Sequence, residues 1–395
     1  MIVFICNAGS TSLKFKVFDM PSERIVASGK IERVGSDGDA IFQFEDAART
    51  IFREKQSIPG YREGLEAFMA LLTRSNGGEL ASLSVIERIG FKTVLSKGYY
   101  GVHELTQPVL EGMRAWMTIA RTHSEPYLEV IRAAHEALPQ ALLIGSFETG
   151  FHTTIPLCRR IYDLPYEWYE NYGIQRLGYH GASHEFIADT LNAQLGPRYR
   201  AISCHMGGSC SVCAIENGKS VDTSFGMSLQ TGVVHGSRTG DMDCDLILFL
   251  QEQGLSPEDI EEGMKRRGGL LGISGVSSDL RYIEAAAAKG NARAALALDR
   301  LVYDLVRYIG AFYAVLGGAD ALVFTGGIGE HSPRIRSRVC EALRCIGVTL
   351  SAEANEACSG SEAVISETGA PVLVQVIPTN EEVGIARRAY AYQTK

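Results

Sequence analysis

The peptide ISCHMGGSCSVCAIENGKSVD, residues Ile202–Asp222, begins with a short apolar run and turns at Gly207-Gly208-Ser209. It returns through Val212, Ala214 and Ile215 and turns again at Asn217-Gly218. β-compatible residues between glycine-rich turns predict a hairpin. Two adjacent glycines and a serine leave the backbone N–H groups of the tip uncovered. Such a tip can cradle an anion, with the Ser209 hydroxyl as a further donor. A lone Gly-Gly is more often a plain turn.

The pattern recurs, which weakens the plain reading. Val3–Cys6 is a second apolar run; it turns at Asn7-Ala8-Gly9-Ser10 and continues through Thr11, Ser12, Leu13, Lys14 and Phe15. Ala321–Phe324 is a third, leading into Thr325-Gly326-Gly327-Ile328-Gly329-Glu330. An apolar strand ending in a small-residue turn, repeated at distances far longer than a solenoid period, predicts duplicated domains and not a stacked array.

The 395 residues are 46% hydrophobic and 21% charged, enough apolar material for two domains. A net charge of −8 without a basic stripe argues against nucleic-acid binding. No run approaches the length needed to span a bilayer. Met1–Cys6 is too short, and lacks the basic flank, for a secretory signal, so the expectation is a cytoplasmic protein. The nine cysteines are scattered, and the single C-x-x-C, Cys210 and Cys213, lies within the expected hairpin with no second pair. Structural thiols are the expectation there, not a metal or redox site.

Apolar spacing predicts helices over Tyr61–Leu72, Ala294–Leu316 and Glu381–Tyr392, and a strand within Val85–Val94. Ser183 is the expected N-cap of a helix ending at Gly196, and Ser332 that of a helix opening with Pro333. Gly150, just after the apolar strand Ala141–Ser146, is the candidate hinge. The expected domains are 1–149 with 382–395, and 150–381.

Asn7, Ser10, Ser12 and Lys14 surround the first tip. A lysine leaving a polar tip suits phosphate, although a lone lysine is more often a solvated charge. No Walker A or G-x-G-x-x-G motif is present. Glu148 follows an apolar strand, where a carboxylate faces a cleft in α/β architectures, and could support Mg²⁺. Glu381 stands at a helix start, where an acid also pairs with the helix dipole. His180 and Arg238 lie in glycine-rich turns. The guanidinium is the stronger candidate because it spans two phosphoryl oxygens.

Taken together, Asn7-Ala8-Gly9-Ser10-Thr11-Ser12-Leu13-Lys14, Tyr179-His180-Gly181-Ala182-Ser183-His184, Ser237-Arg238-Thr239-Gly240-Asp241, Phe324-Thr325-Gly326-Gly327-Ile328-Gly329-Glu330 and Ile377-Pro378-Thr379-Asn380-Glu381-Glu382 resemble the motifs of acetate kinases, in the same order along nearly the whole chain. The resemblance implies an α/β fold of two duplicated ribonuclease-H-like (actin-like ATPase) domains flanking a nucleotide cleft, and a homodimer formed through the second domain. It implies ATP as co-substrate and Mg²⁺, or Mn²⁺, held by Asn7 and Glu381. Lys14 would reach the nucleotide phosphates beside Ser10 and Ser12. His205, Met206, Gly207, Gly208 and Ser209 would bind ATP, as would Asp279, Leu280 and Arg281, and Gly327, Ile328, Gly329, Glu330 and His331. His180 and Arg238 would stabilise the transferring phosphoryl group, with His123 nearby and Glu148 in the catalytic set.

The chain departs from that pattern at several points. The family's Gly-His-Arg-Val-Val-His-Gly-Gly stands here as Gly90-Phe91-Lys92-Thr93-Val94-Leu95-Ser96-Lys97-Gly98, so Lys92 takes the place of the substrate-facing arginine. Glu148 replaces an aspartate, His-Met-Gly-Gly-Ser replaces His-Leu-Gly-Asn-Gly, and His331 replaces an asparagine. Either Lys92 grips the acid, so that acetate binds weakly or an acid whose tail contacts Phe91 is preferred, or it points away and Lys97 or Arg238 alone holds the carboxylate. The expected function is acetate + ATP ⇌ acetyl phosphate + ADP. The alternatives are another short-chain acid such as propionate, a donor other than ATP, or a nucleotide-binding switch without catalysis.

Overall fold

The computed structural model describes residues 1–393 except Ser10, Asp37, 48–50, 75–79 and Ala81, and only the backbone of Arg74, Thr122 and His123. The chain divides into two compact units, Met1–Gly150 with Asn380–Lys395, and Phe151–Thr379. The expected domains differ from these units only in the assignment of Gly150, Asn380 and Glu381.

Unit 1 is built on an eight-stranded sheet: β1 (Ile2–Ala8), β2 (Ser12–Asp19), β3 (Arg24–Glu32), β4 (Ala40–Asp46), β5 (Ile51–Gln56), β6 (Ile86–Thr93), β7 (Val102–Glu104) and β8 (Leu142–Phe147). Their spatial order is β5-β4-β3-β2-β1-β6-β8-β7. β1 to β5 form an antiparallel meander, whereas β6 runs parallel to β1 and β8 parallel to β6. Alternation sets the two faces. Phe4 and Phe15 turn to one side and stack on Phe68 of the helix Tyr61–Arg74, with centroids 5.6 and 4.6 Å away. Val3 and Ile5 turn to the other side and pack with Ile385, Ala386 and Ala389 of the C-terminal helix Glu381–Ala391. Gly90 makes that docking possible, since a Cβ there would lie 2.8 Å from Ile5 and 3.0 Å from Ile385.

Unit 2 repeats the plan with β9 (Arg200–Met206), β10 (Cys210–Glu216), β11 (Lys219–Thr223), β12 (Ala321–Thr325), β13 (Ala363–Val364) and β14 (Leu373–Val376). The order is β11-β10-β9-β12-β14-β13. Three antiparallel strands followed by two parallel ones, β3-β2-β1-β6-β8 in unit 1 and β11-β10-β9-β12-β14 in unit 2, make this a duplicated ribonuclease-H-like fold. One face of the second sheet packs under the helix Ala292–Leu316, through Leu298, Leu301, Leu305 and Ile309. The other face packs under the helix Gly181–Leu195 through Ile187, Ala188 and Leu191.

The helix Gly181–Leu195 corrects one expectation. Its N-cap is His180, in the left-handed region at φ 57°, and not Ser183. Ser183 is buried inside the first turn and its hydroxyl serves His205 instead. Among the described residues, no helix is long and apolar enough to cross a membrane.

Candidate active site

The candidate residues fall into one group in each unit. In unit 1, Asn7, Lys92 and Glu148 lie at the C-terminal ends of the parallel strands β1, β6 and β8. Cys6 pairs with Phe91, so one residue further on Asn7 and Lys92 both turn to the face that carries the C-terminal helix. The Lys92 ammonium donates to Glu381 Oε2 at 2.6 Å, in the first turn of that helix. Asn380 caps the helix by accepting from the Val383 amide. Glu148, only 5% exposed, is tied to β6 by its backbone N–H, which donates to the Thr93 carbonyl at 2.9 Å.

The Lys92 side chain is 19% exposed. Burial opposes its charge, but the carboxylates of Glu148 and Glu381 outweigh burial and hold its pKa above the usual lysine range. Tyr127, from the helix Arg121–Ala137, donates to Asn7 Oδ1 at 3.1 Å. Burial raises the Tyr127 pKa, so it remains a phenol and fixes the orientation of the Asn7 amide. Sequence reasoning missed Tyr127; it lies 120 positions from its partner, and no local signal marks it.

Two expectations need qualification here. Phe91 is fully buried and, by alternation, on the opposite face of β6 from Lys92, so it cannot line a pocket for the tail of an acid held there. Lys92 does not point away from the acidic side chains; it is ion-paired among them. Lys14 is exposed, directly across from Asn7 on one side and Lys30 on the other, so these three residues form a row on one face of the sheet. Ser12 is half-buried, with its carbonyl accepting from the Gly9 amide. Ser10 and the side chain of His123 lie outside the described residues.

The oxygen donors of unit 1 suit a hard cation. An amide oxygen on Asn7 and carboxylates on Glu148 and Glu381 are the ligand types that Mg²⁺ takes. The Lys92 ammonium is already ion-paired with one of these carboxylates, Glu381. The residues present therefore fit Mg²⁺.

In unit 2, β9 and β12 are parallel neighbours with Thr325 opposite His205. This places the tip Gly207–Ser209 beside the six-residue helix Gly326–His331. Gly326 has φ 73°, and a Cβ on it would lie 2.7 Å from the Met206 carbonyl oxygen, so the close approach of these segments requires glycine. The amide of Gly236 donates to the Gly208 carbonyl at 2.9 Å, and the same glycine lies against the backbone of Ser278. The segments 205–209, 279–281 and 327–331 are thus brought together. Within them Asp279 caps the helix Leu280–Ala288 and pairs with the exposed Arg281, while Leu280 is buried.

Arg238 donates to the Ser209 hydroxyl, and its Nε is buried without a hydrogen-bond partner among the described residues. Burial lowers the guanidinium pKa to about 10, which leaves it charged at neutral pH. His180 is held by Ser211, whose Oγ lies 2.8 Å from His180 Nδ1. The His205 ring lies 4.1 Å from it, centroid to centroid. Ser211 was not picked out from sequence, although it sits two residues after Ser209. Cys204, Cys210 and Cys213 are buried.

The Acetokinase family model matches residues 2–387. The chain belongs to this family. It is 40% identical over 398 residues to the acetate kinase of Dictyoglomus thermophilum, with 98% of each chain covered. It is 37% identical over 392 residues to that of Carboxydothermus hydrogenoformans, again with 98% of each covered. Among solved structures it superposes on the acetate kinase of Porphyromonas gingivalis with a TM-score of 0.89 at 34% identity, covering 98% of both chains. A propionate kinase from Francisella tularensis superposes with a TM-score of 0.91 at 28% identity, covering 98% of this chain and 99% of that one. Family membership accounts for the duplicated fold and for the order of the sequence motifs.

Proposed function

We propose that this protein transfers the γ-phosphoryl group of ATP to a short-chain carboxylate, with acetate as the acceptor. The observation that carries the reading is the near-complete match to the Acetokinase family together with the charged cluster of Lys92, Glu148 and Glu381 in unit 1. A carboxylate is already a nucleophile at neutral pH, so no base is needed. One of its oxygens bonds to the γ-phosphorus as the bond to the ADP oxygen breaks.

Phosphoryl transfer depends mainly on positioning and on neutralising spread charge. Lys92 attracts the acid's carboxylate. Asn7 and Glu381 would hold Mg²⁺, with Glu148 supporting its surroundings, and the ion would supply neutralisation of phosphate charge. Arg238 and His180 donate to the transferring group. The segments 205–209, 279–281 and 327–331 hold the nucleotide, and Lys14 adds a positive charge toward its phosphates. A homodimer through unit 2 is the proposed assembly; exposed Leu246, Leu248 and Phe249 on the helix Asp245–Glu252 supply apolar surface for it.

The likeness to a propionate kinase supports a second reading, in which a longer acid is preferred. A hydroxamate assay across two- to four-carbon acids, with ATP, GTP and pyrophosphate as donors, separates these. Acetyl hydroxamate formed with ATP is the expected result. Product only from longer acids favours the second reading, and no acyl phosphate from any pair sinks both, leaving a nucleotide-binding switch.

A further inference from the structure

A chain of four hydrogen-bonding side chains runs inward from His180. His180 and His184 stand four residues apart at the start of the helix Gly181–Leu195, on one stripe. That helix covers the sheet face to which Ser203 of β9 and Ser211 of β10 turn. Ser211 Oγ is 2.8 Å from His180 Nδ1 and 2.8 Å from His184 Nε2. The remaining nitrogen, His184 Nδ1, is 2.9 Å from Ser203 Oγ. Ser203, Ser211 and His184 are all fully buried.

The protons in this chain can be placed by counting donors. Burial, with His152 and His205 nearby, holds the His184 pKa well below the usual histidine range, so its ring is neutral, with one N–H and one lone pair. The Ser203 hydroxyl has one proton and, among the described residues, one side-chain partner, His184 Nδ1. Were it to accept from Nδ1–H, its own proton would be buried without an acceptor, which is unfavourable. It therefore donates to Nδ1, which leaves the His184 proton on Nε2. That N–H donates to Ser211 Oγ, and the one proton of Ser211 is left to donate to His180 Nδ1.

We infer that Ser203, His184 and Ser211 form a one-way hydrogen-bond relay that keeps the proton of neutral His180 on Nε2, so that His180 acts as a hydrogen-bond donor to the phosphoryl group without having to ionise. Ser203 and His184 are positioning residues that act through Ser211. The inference rests on the reading of His180 as a phosphoryl donor, but the direction of the relay does not depend on turnover.

The test is ¹⁵N NMR of the full chain labelled at histidine, with His180 and His184 assigned from their Gln variants. Ring nitrogens that carry a proton resonate apart from those that do not. In the unmodified protein both rings should be protonated at Nε2 and bare at Nδ1. In Ser203→Ala the bias is gone, so both rings should show mixed tautomers. kcat should then fall roughly tenfold or more, as for other losses of an orienting partner, while KM for acetate and for nucleotide stays unchanged. A proton on Nδ1 of either ring in the unmodified protein overturns the proposal whatever the variant does. So does a Ser203→Ala protein with unmixed tautomers and unchanged kcat. Loss of hydroxamate activity from the unmodified protein with the tautomers as expected would fault the functional reading and leave the relay standing.

Discussion

Lys92 and Glu381 lie 289 positions apart in sequence, yet the lysine ammonium donates to the glutamate carboxylate at 2.6 Å. The contact joins β6 to the first turn of the C-terminal helix. It places a compact cation where the family pattern has an arginine, among carboxylates suited to a metal. A guanidinium grips a carboxylate with two parallel donors; an ammonium offers one point charge on a flexible stem. Lys92→Arg should therefore lower the KM for acetate and leave that for ATP nearly unchanged. Lys92→Ala should raise the acetate KM by roughly 10- to 150-fold, the loss of a charge-assisted hydrogen bond of about 1.5–3 kcal/mol. Steady-state kinetics with acetate as the varied substrate decides it: if both variants keep the parent KM, Lys92 does not clamp the acid.

Glu148 is buried on the same side and supports the Lys92 charge. Replacing its carboxylate by an amide offers a hard cation a poorer partner. Glu148→Gln should depress activity and raise the Mg²⁺ concentration needed for half-maximal rate. Titration of both proteins with Mg²⁺ at saturating ATP is the check, and superimposable curves would make Glu148 structural.

The hydrogen bond from Arg238 to Ser209 joins a charged donor to a residue at a tip where the family pattern has glycine. Charge on the phosphoryl oxygens is redistributed in the transition state, so a lost guanidinium is felt in kcat more than in binding. Arg238→Ala should lower kcat by roughly 100-fold or more, comparable to removing an oxyanion donor. Ser209→Ala keeps the guanidinium but frees its Nη2, and should fall between that variant and the parent. Near-normal turnover in Arg238→Ala would remove it from the site.

The strand-and-turn units were legible because alternation and glycine-rich tips are local: β1, β2, β9, β10 and β12 all stand where those patterns lie. β5 was not found. Its residues, Ile51–Gln56, are almost all exposed at the sheet edge, so no buried face imposes alternation on them. A serine before an apolar helix usually caps it, and that pattern points to Ser183. Here a left-handed His180 starts the helix earlier and Ser183 turns inward to His205. The partners that orient the candidate site were hidden for one reason. Tyr127 with Asn7, Lys92 with Glu381 and His184 with Ser203 are contacts made by tertiary packing, and no spacing in the sequence encodes them.

His152 gives unit 2 a dependence on acid. It is 1% exposed; Nε2 lies 2.9 Å from the Tyr179 carbonyl and Nδ1 2.9 Å from Ser220 Oγ. Burial pushes its pKa down to about 4, from an ordinary 6.5. The neutral ring is thus favoured by the fold, while the unfolded chain takes up a proton first as pH falls. The stability this confers is full above pH 6.5 and is lost as the pH drops toward 4, about 3 kcal/mol in all. His152→Gln retains an amide donor for Tyr179 but cannot titrate. The variant should be less stable than the parent at pH 7 through imperfect packing, and the gap should narrow steadily between pH 6.5 and 4. Denaturant unfolding of both proteins across that range measures it; parallel stability curves would show that His152 does not take up its proton on unfolding.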